Sequence, residues 1–268
     1  MDQSLHSAVR GGAWGEVQRL VAGGADTEER GGKQRTVLHI AAREGREGMV
    51  KFLLDSRADI NARDRDGATP LHKAGTGRIV RILLDAGADL SAKDYDGRAP
   101  LLRAVHTARR EVASVMLDAG ADVTSKGTDG RTSLHSAASL GNGAFPRMLF
   151  RAGADVHAKD VHGRTPLHYI LSSDGIARML LNAGAEVDAR DDTGATPEDR
   201  ARGRSNPEVQ PPQPFRPLVF LRDCVVREPI QPFHASRLLK HGSRRGRLWS
   251  CFGRWRHSAH NASHSPWG

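Results

Sequence analysis

The chain has 268 residues and a formal net charge of +9, of which residues 207–268 contribute +7 through 10 Lys and Arg against 3 Asp and Glu. With 38% hydrophobic residues the chain is thin for one deep core, and no run approaches the ~18 apolar residues of a membrane-spanning helix. The start, Met1-Asp2-Gln3-Ser4, lacks the basic and apolar regions of a secretory signal. Both cysteines, Cys224 and Cys251, lie in the basic segment. We therefore expect a protein without transmembrane helices in a reducing compartment, the cytoplasm or the nucleus.

One tetrapeptide recurs through the first 200 residues at intervals of 30 to 33 residues. Its copies are Thr36-Val37-Leu38-His39, Thr69-Pro70-Leu71-His72, Ala99-Pro100-Leu101-Leu102, Thr132-Ser133-Leu134-His135, Thr165-Pro166-Leu167-His168 and the partial copy Thr196-Pro197. The threonine is a favourable N-cap, because its hydroxyl can accept from a free amide of the first turn, and proline is tolerated at the first helical position. A fixed period of this length indicates stacked repeats.

The copy that begins at Thr132 shows the pattern of a whole repeat. Leu134, Ala137 and Ala138 have the spacing of an apolar helical stripe, and the small alanines allow successive helices to stack closely. A second helix is predicted to end at Gly153, since glycine is the usual residue just past a helix C-terminus. The turn-rich residues that follow predict an extended finger before the next threonine.

Motif and period together resemble the ankyrin repeat family, and the resemblance covers about residues 2–204. It implies an all-α solenoid of helix–turn–helix units with β-turn fingers, about six repeats and a partial C-terminal cap. The predicted units are 2–35, 36–68, 69–98, 99–131, 132–164, 165–195 and 196–206. The third unit is short after Ala74, which predicts a clipped first helix and a local distortion, and the sixth is short by two residues. Residues 207–268 are proline-rich, then basic, and we expect them to be largely disordered.

Four histidines, His39, His72, His135 and His168, recur at one repeat position. The resemblance implies a structural role, in which each imidazole hydrogen-bonds the backbone and the threonine of its own or the adjacent finger. The two cysteines are 27 residues apart without a zinc-knuckle spacing, so we predict no metal site and no cofactor. No nucleophile elbow, phosphate loop or paired-carboxylate cleft is evident, and we predict that the chain is not an enzyme.

The resemblance also implies that a partner protein binds the concave face formed by the fingers and first helices. Matched position by position, the predicted contact residues are Arg65, Tyr95, Asp96, Arg98, Thr128, Arg131, Val161, His162 and Arg164 on the fingers and His106 on a first helix. Tyr95 and the arginines are favoured because Tyr and Arg dominate interface hot spots, and the arginines would suit an acidic or phosphorylated ligand. Asp66, Asp96 and Asp129 could neutralise the arginines. The predicted function is a monomeric scaffold or adaptor.

Two further hypotheses concern other parts of the chain. Asn61 stands where the ankyrin context is similar to one in which an oxygenase hydroxylates the asparagine. The basic-aromatic segment offers an alternative function, binding of nucleic acid or an anionic membrane, which would weaken steeply with salt. Its residues include Arg237, Lys240, Arg244, Arg245, Arg247, Trp249, Arg254, Trp255 and Arg256.

Overall fold

A computed structural model describes residues 4–170 and 174–203 of the chain. The described residues form pairs of short helices joined by turns. The first helices of the units are α1 (Leu5–Gly11), α3 (Val37–Arg43), α5 (Pro70–Lys73), α7 (Pro100–His106), α9 (Ser133–Ser139) and the 3-10 helix Pro166–Tyr169. The second helices are α2 (Trp14–Ala22), α4 (Glu47–Asp55), α6 (Gly77–Asp85), α8 (Arg110–Asp118), α10 (Ala144–Arg151) and α11 (Asp174–Asn182). A final helix, α12 (Pro197–Gly203), and a short 3-10 turn, Gly32–Gln34, complete the described elements.

The helices stack in two rows. Each first helix packs on the first helix of the next unit, α3 on α5, α5 on α7 and α7 on α9, and the second helices pack likewise from α4 through α11. Each unit therefore buries its apolar stripe against its neighbours, which is the packing of a solenoid. The all-α repeat architecture expected from the period is confirmed.

The core is a column of aliphatic side chains between the two rows. From α3 onward, each first helix contributes one leucine at the same position. These leucines are Leu38, Leu71, Leu101, Leu134 and Leu167, and none of the five is more than 2% exposed. The second helices face them with Leu53, Leu83, Met116, Leu149 and Leu180, all fully buried. The motif leucine is thus the residue through which each first helix joins the core.

The second helices end where a residue adopts a left-handed conformation. Gly87, Gly120 and Gly153 all have φ near +90°, a region that glycine enters without steric cost. In the second unit Arg57 occupies the same position with φ +66°, which is unfavourable for a residue with a Cβ. The second unit therefore carries a small backbone strain at this position, where the units that have glycine do not.

The clipped first helix of the third unit is confirmed: α5 has only four residues. Neighbouring units satisfy the backbone around its early end. The Gly75 amide donates to the Ala42 carbonyl at 2.9 Å, and the Arg109 guanidinium donates to the carbonyls of Lys73 and Ala74 at 2.8 and 2.6 Å. Gly75 is required here, because a Cβ at this position would lie 2.4 Å from the Arg43 carbonyl oxygen.

The sixth unit has a 3-10 helix, Pro166–Tyr169, in place of a full first helix. The terminal helix α12 begins with the same cap as the other units but with Asp199 in the histidine position, where its carboxylate accepts from the Thr196 amide at 2.9 Å and hydroxyl at 2.7 Å. Among residues 4–170 and 174–203, no helix is long and apolar enough to cross a membrane. The hypotheses on residues 207–268, including the basic-aromatic segment and both cysteines, lie outside the described residues.

Candidate functional site: the finger ladder

Backbone hydrogen bonds join the tips of successive fingers into one continuous structure, here called the finger ladder. Each tip amide donates to a carbonyl of the preceding finger at 2.8–3.1 Å. The donors are Arg65, Tyr95, Thr128, Val161 and Asp192, and their acceptors are Lys33, Asp66, Asp96, Asp129 and His162. Because these amides are satisfied within the protein, the tip side chains are presented at fixed positions.

A buried aspartate holds four of the fingers in shape. Asp64, Asp94, Asp160 and Asp191 stand five residues before the first residue of the motif, and all are at least 93% buried. Asp94 is typical: its Oδ1 accepts from the amides of Asp96 at 3.0 Å and Arg98 at 2.9 Å. Two amides of the turn thus bond one carboxylate, which fixes the turn.

Each buried aspartate also faces a cation. Asp94 Oδ2 accepts from Arg98 Nε and from an Arg103 terminal nitrogen, both at 3.1 Å, and Asp64 Oδ2 lies 2.7 Å from the buried Lys73 ammonium. Burial by itself raises the pKa of Asp64, but the Lys73 ammonium and the turn amides outweigh it, so the pKa lies below its usual range. These carboxylates are therefore ionised and paired at neutral pH.

The finger between the fourth and fifth units departs from this scheme. Gly127 stands where four of the other fingers have the buried aspartate, and Arg131 is left without that partner. Its Nε donates instead to the Tyr169 hydroxyl at 2.9 Å, and its guanidinium stacks 4.5 Å from the centre of the Tyr169 ring. The Tyr169 hydroxyl in turn donates to Asp160. A tyrosine from the sixth unit thus couples two fingers.

The motif histidines connect each first helix to the next finger. Nδ1 of His39, His72, His135 and His168 lies 3.1–3.3 Å from the amide and 2.9–3.0 Å from the hydroxyl of its own threonine. Since Nδ1 accepts from the amide, the proton is on Nε2, which donates to a carbonyl of the following finger at 2.9–3.2 Å. Burial lowers the pKa of His39 and of His72 to about 4, so both are neutral at pH 7.

The sequence interpretation missed several members of this network. His6 makes the equivalent bond in the first unit, from Nε2 to the Arg35 carbonyl at 2.9 Å, and its position 33 residues before His39 could have revealed it. The buried aspartates could have been found in the same way, because they recur five residues before the first residue of the motif. Nothing in the sequence pattern marks Tyr169, since its role depends on the irregular finger at Gly127.

The ladder presents two large apolar side chains to solvent. The exposed fraction is 70% for Tyr95 and 55% for Val161, and Thr128 between them is also exposed. The Tyr95 ring lies over Gly67 of the preceding finger, where a Cβ would come within 2.7 Å of it. Arg65, Asp96 and His162 on the fingers and His106 at the end of α7 are exposed as well.

The arginines of the predicted contact set are less available than expected. The side chains of Arg98 and Arg164 are only 25% and 14% exposed, because they are bound to the buried Asp94 and Asp160. Their main neutralising partners are thus these aspartates rather than the exposed ones that the sequence indicated. Arg131, at 39%, is the most exposed of the three and lies 3.3 Å from Asp129. Asp96 adds a second carboxylate to Arg98.

Asn61 lies at an exposed finger base. Its Oδ1 accepts from the Asp89 amide of the next unit at 3.1 Å, while its own amide donates to Asp59. Hydroxylation of Asn61 stays a prediction. Among residues 4–170 and 174–203, no group of three or more His, Cys, Asp and Glu side chains could hold a metal ion.

Comparisons with known proteins find similarity in the repeat region of the chain. A model of three-copy ankyrin repeats matches residues 5–94, 64–127, 79–160 and 124–191. A putative ankyrin repeat protein of Pyrobaculum aerophilum is 38% identical over 74 residues, which are 28% of this chain and 27% of that protein. A putative glutaminase 2 of Caenorhabditis elegans is 44% identical over 67 residues, which are 25% of this chain and 11% of that protein. The matched segments are short parts of these relatives.

Among solved structures, the ankyrin repeat domain of Bcl-3, described as a unique member of the IkappaB protein family, superposes with a TM-score of 0.64. The sequences are 29% identical, and the match covers 76% of this chain and 95% of that one. The repeat period, the paired helices, the finger ladder and these matches agree, and repeats of this kind are in general protein–protein interaction modules rather than catalysts. The chain belongs to the ankyrin repeat family.

Proposed function

We propose that the protein is an adaptor that binds a partner protein through the finger ladder and the ends of the neighbouring first helices. The observation that carries the proposal is the exposure of Tyr95 and Val161 on a surface whose backbone groups are already paired. An exposed tyrosine offers a large contact area with little conformational entropy to lose on binding, which suits an interface anchor.

Polar groups around these two side chains would supply the selectivity. Arg65, Thr128 and His162 are exposed on neighbouring fingers, and the Arg131 side chain is 39% exposed. Arg98 and Arg164 act in this proposal by holding the fingers in place, since their charges are bound to Asp94 and Asp160. A partner surface with an apolar patch and flanking carboxylates would complement this arrangement.

The test is affinity capture with mass spectrometry, comparing the full-length protein with a Tyr95→Ala/Val161→Ala variant. The matched control is Lys51→Ala/Arg81→Ala, which changes two exposed side chains on second helices. Partners of the ladder should be lost from the first variant and kept by the control.

A third variant, Arg244→Gln/Arg245→Gln/Arg247→Gln, tests the competing hypothesis. If this change removes the bound molecules while the ladder variant keeps them, and if binding falls steeply between 50 and 200 mM salt, the basic segment carries the function and the proposal is wrong.

A further inference from the structure

A cleft of about 520 Å³ opens between the second helices α8 and α10. Three arginines line it, Arg110 from α8 and Arg147 and Arg151 from α10, and all three are exposed. One carboxylate, Asp118, is also in the lining, which leaves a net charge of +2. The partly buried Leu117 and Met148 supply an apolar floor.

The three arginines differ from the arginines that lie beside the fingers. Arg35, Arg98, Arg103 and Arg164 are all ion-paired with buried aspartates. Within the described residues, by contrast, Arg110, Arg147 and Arg151 have no ion pair, and Asp118 does not approach them within 4 Å. Their charges are therefore not used to hold the repeat together.

The repeats themselves show that the fold does not require this arrangement. Arg151 stands at the position where the second, third and fourth units have Asp55, Asp85 and Asp118. The fifth unit has thus replaced a negative charge with a positive one at this position.

The opening of the cleft has a similar origin. Ser114 replaces the long side chain that the neighbouring units carry as Arg81 and Arg147. Ala144 likewise stands where the preceding unit has Glu111. Both short side chains line the cleft, so local substitutions account for the space as well as for its charge.

We propose that this cleft, separate from the finger ladder, binds an acidic amphipathic segment of a partner protein. Arg147 and Arg151 are four residues apart and face the same side of α10, the spacing at which carboxylates recur on one face of a partner helix. The floor of Leu117 and Met148 would receive apolar side chains from the same segment. Leu117 and Met148 have no counterpart on a uniformly anionic polymer, whereas a segment with both carboxylates and apolar side chains matches both parts of the lining, which favours a protein segment over nucleic acid.

The experiment uses full-length protein and a synthetic 15-residue helical peptide with glutamates at i, i+4 spacing and leucines on the adjoining face. Fluorescence anisotropy at 150 mM salt would compare this peptide with its glutamine counterpart. We expect the acidic peptide to bind the unchanged protein. The glutamine counterpart should bind at least tenfold more weakly, and the Arg147→Ala/Arg151→Ala variant should bind the acidic peptide at least tenfold more weakly.

Two further variants make the result specific. Arg151→Asp restores the residue type of the preceding units, so it should leave the thermal midpoint unchanged while lowering the affinity at least tenfold. Arg78→Ala/Arg81→Ala removes two charges from α6, including the one at the repeat position of Arg147, and should change the affinity less than twofold. The proposal would be overturned if the acidic peptide did not bind, or if the glutamine peptide bound with equal affinity. It would also be overturned if the cleft variants bound the acidic peptide as tightly as the unchanged protein does. Tighter, Arg147-dependent binding of single-stranded DNA or phosphatidylserine vesicles would overturn it as well.

Discussion

Single side chains in this array act across unit boundaries. The imidazole of His135 bonds Thr132 of its own unit and the Arg164 carbonyl of the next finger, and Asp94 bonds two amides and two arginines. Both groups are buried, so a partner that is removed leaves an unsatisfied polar atom in a place that water does not reach. The stability of the array should therefore respond to the charge state of these groups as well as to its apolar packing.

The first prediction at this scale concerns pH. The pKa of His39 and of His72 is lowered by burial from 6.5 to about 4, so below pH 6.5 the unfolded chain binds protons that the folded chain does not. The stability contributed by keeping these histidines neutral is fully present above pH 6.5 and falls as the pH drops towards 4. At pH 5 the loss is about 2 kcal/mol of unfolding free energy for each such histidine. Urea unfolding at pH 7, 6 and 5 measures this slope. A His39→Gln variant should show a shallower slope, and an unchanged slope would contradict the assignment.

The second prediction concerns the core. Leu134 is fully buried in the leucine column, and truncating it leaves a cavity. Leu134→Ala should therefore lower the free energy of unfolding by roughly 2–5 kcal/mol. Leu140→Ala is the control, because Leu140 is 37% exposed at the end of α9, and its cost should be below about 1 kcal/mol. Equal midpoints for the two variants in denaturant would show that the assigned core position is wrong.

Among the elements, the shortened helix α5 of the third unit is supported by contacts from the units on both sides. Helix α5 stops at Lys73, after four residues, and its last carbonyls lack the amides that another turn would have supplied. Arg109, at the start of α8 in the next unit, donates to two of these carbonyls, and Gly75 lets the chain pass close to α3. A shortened helix is thus held by a side chain from the following unit and a backbone contact with the preceding one.

The variant Arg109→Ala tests whether these contacts stabilise the shortened helix α5. The variant removes two charge-assisted hydrogen bonds to partly buried carbonyls, and we expect it to destabilise the protein by about 1.5–3 kcal/mol. The adjacent Arg110→Ala serves as the control, since Arg110 is exposed and makes no ion pair within the described part of the chain, and its effect should stay within about 0.5 kcal/mol. Equal unfolding free energies for the two variants would mean that the Arg109 contacts do not support α5.

For the whole molecule, stability is distributed along the array unit by unit. Repeat proteins gain most of their stability from contacts between neighbouring units, and a unit with a shortened first helix also has fewer helical hydrogen bonds of its own. The third and sixth units have first helices of four residues each, against seven in the fifth. The array should therefore be most easily opened near these two positions.

Native-state hydrogen exchange would test this distribution. Amides of residues 70–85 and 174–182 should exchange faster than those of residues 133–151, since local opening costs less where fewer helical hydrogen bonds are broken. Equal protection of all three segments would indicate that Arg109, Tyr169 and the finger ladder fully compensate for the shortened helices.

The sequence by itself was enough to determine the repeat fold and the clipped first helix of the third unit. Thr132 could be interpreted as an N-cap, Leu134 as part of an apolar stripe and His135 as a repeated structural position. All three roles depend on local spacing in the sequence. The exposed Tyr95 could be placed at a finger tip for the same reason: once the period is known, each residue has a defined place in its unit.

Only the tertiary structure decided which of those side chains are free to bind. Arg98 and Arg131 occupy the same repeat position, yet Arg98 is bound to a buried aspartate while Arg131 stacks on Tyr169 from 38 residues further on. The cleft beside Arg151 likewise depends on the space left between α8 and α10. The physical reason is that stacking brings side chains about 33 residues apart into contact, and a local pattern contains no information on which of them meet.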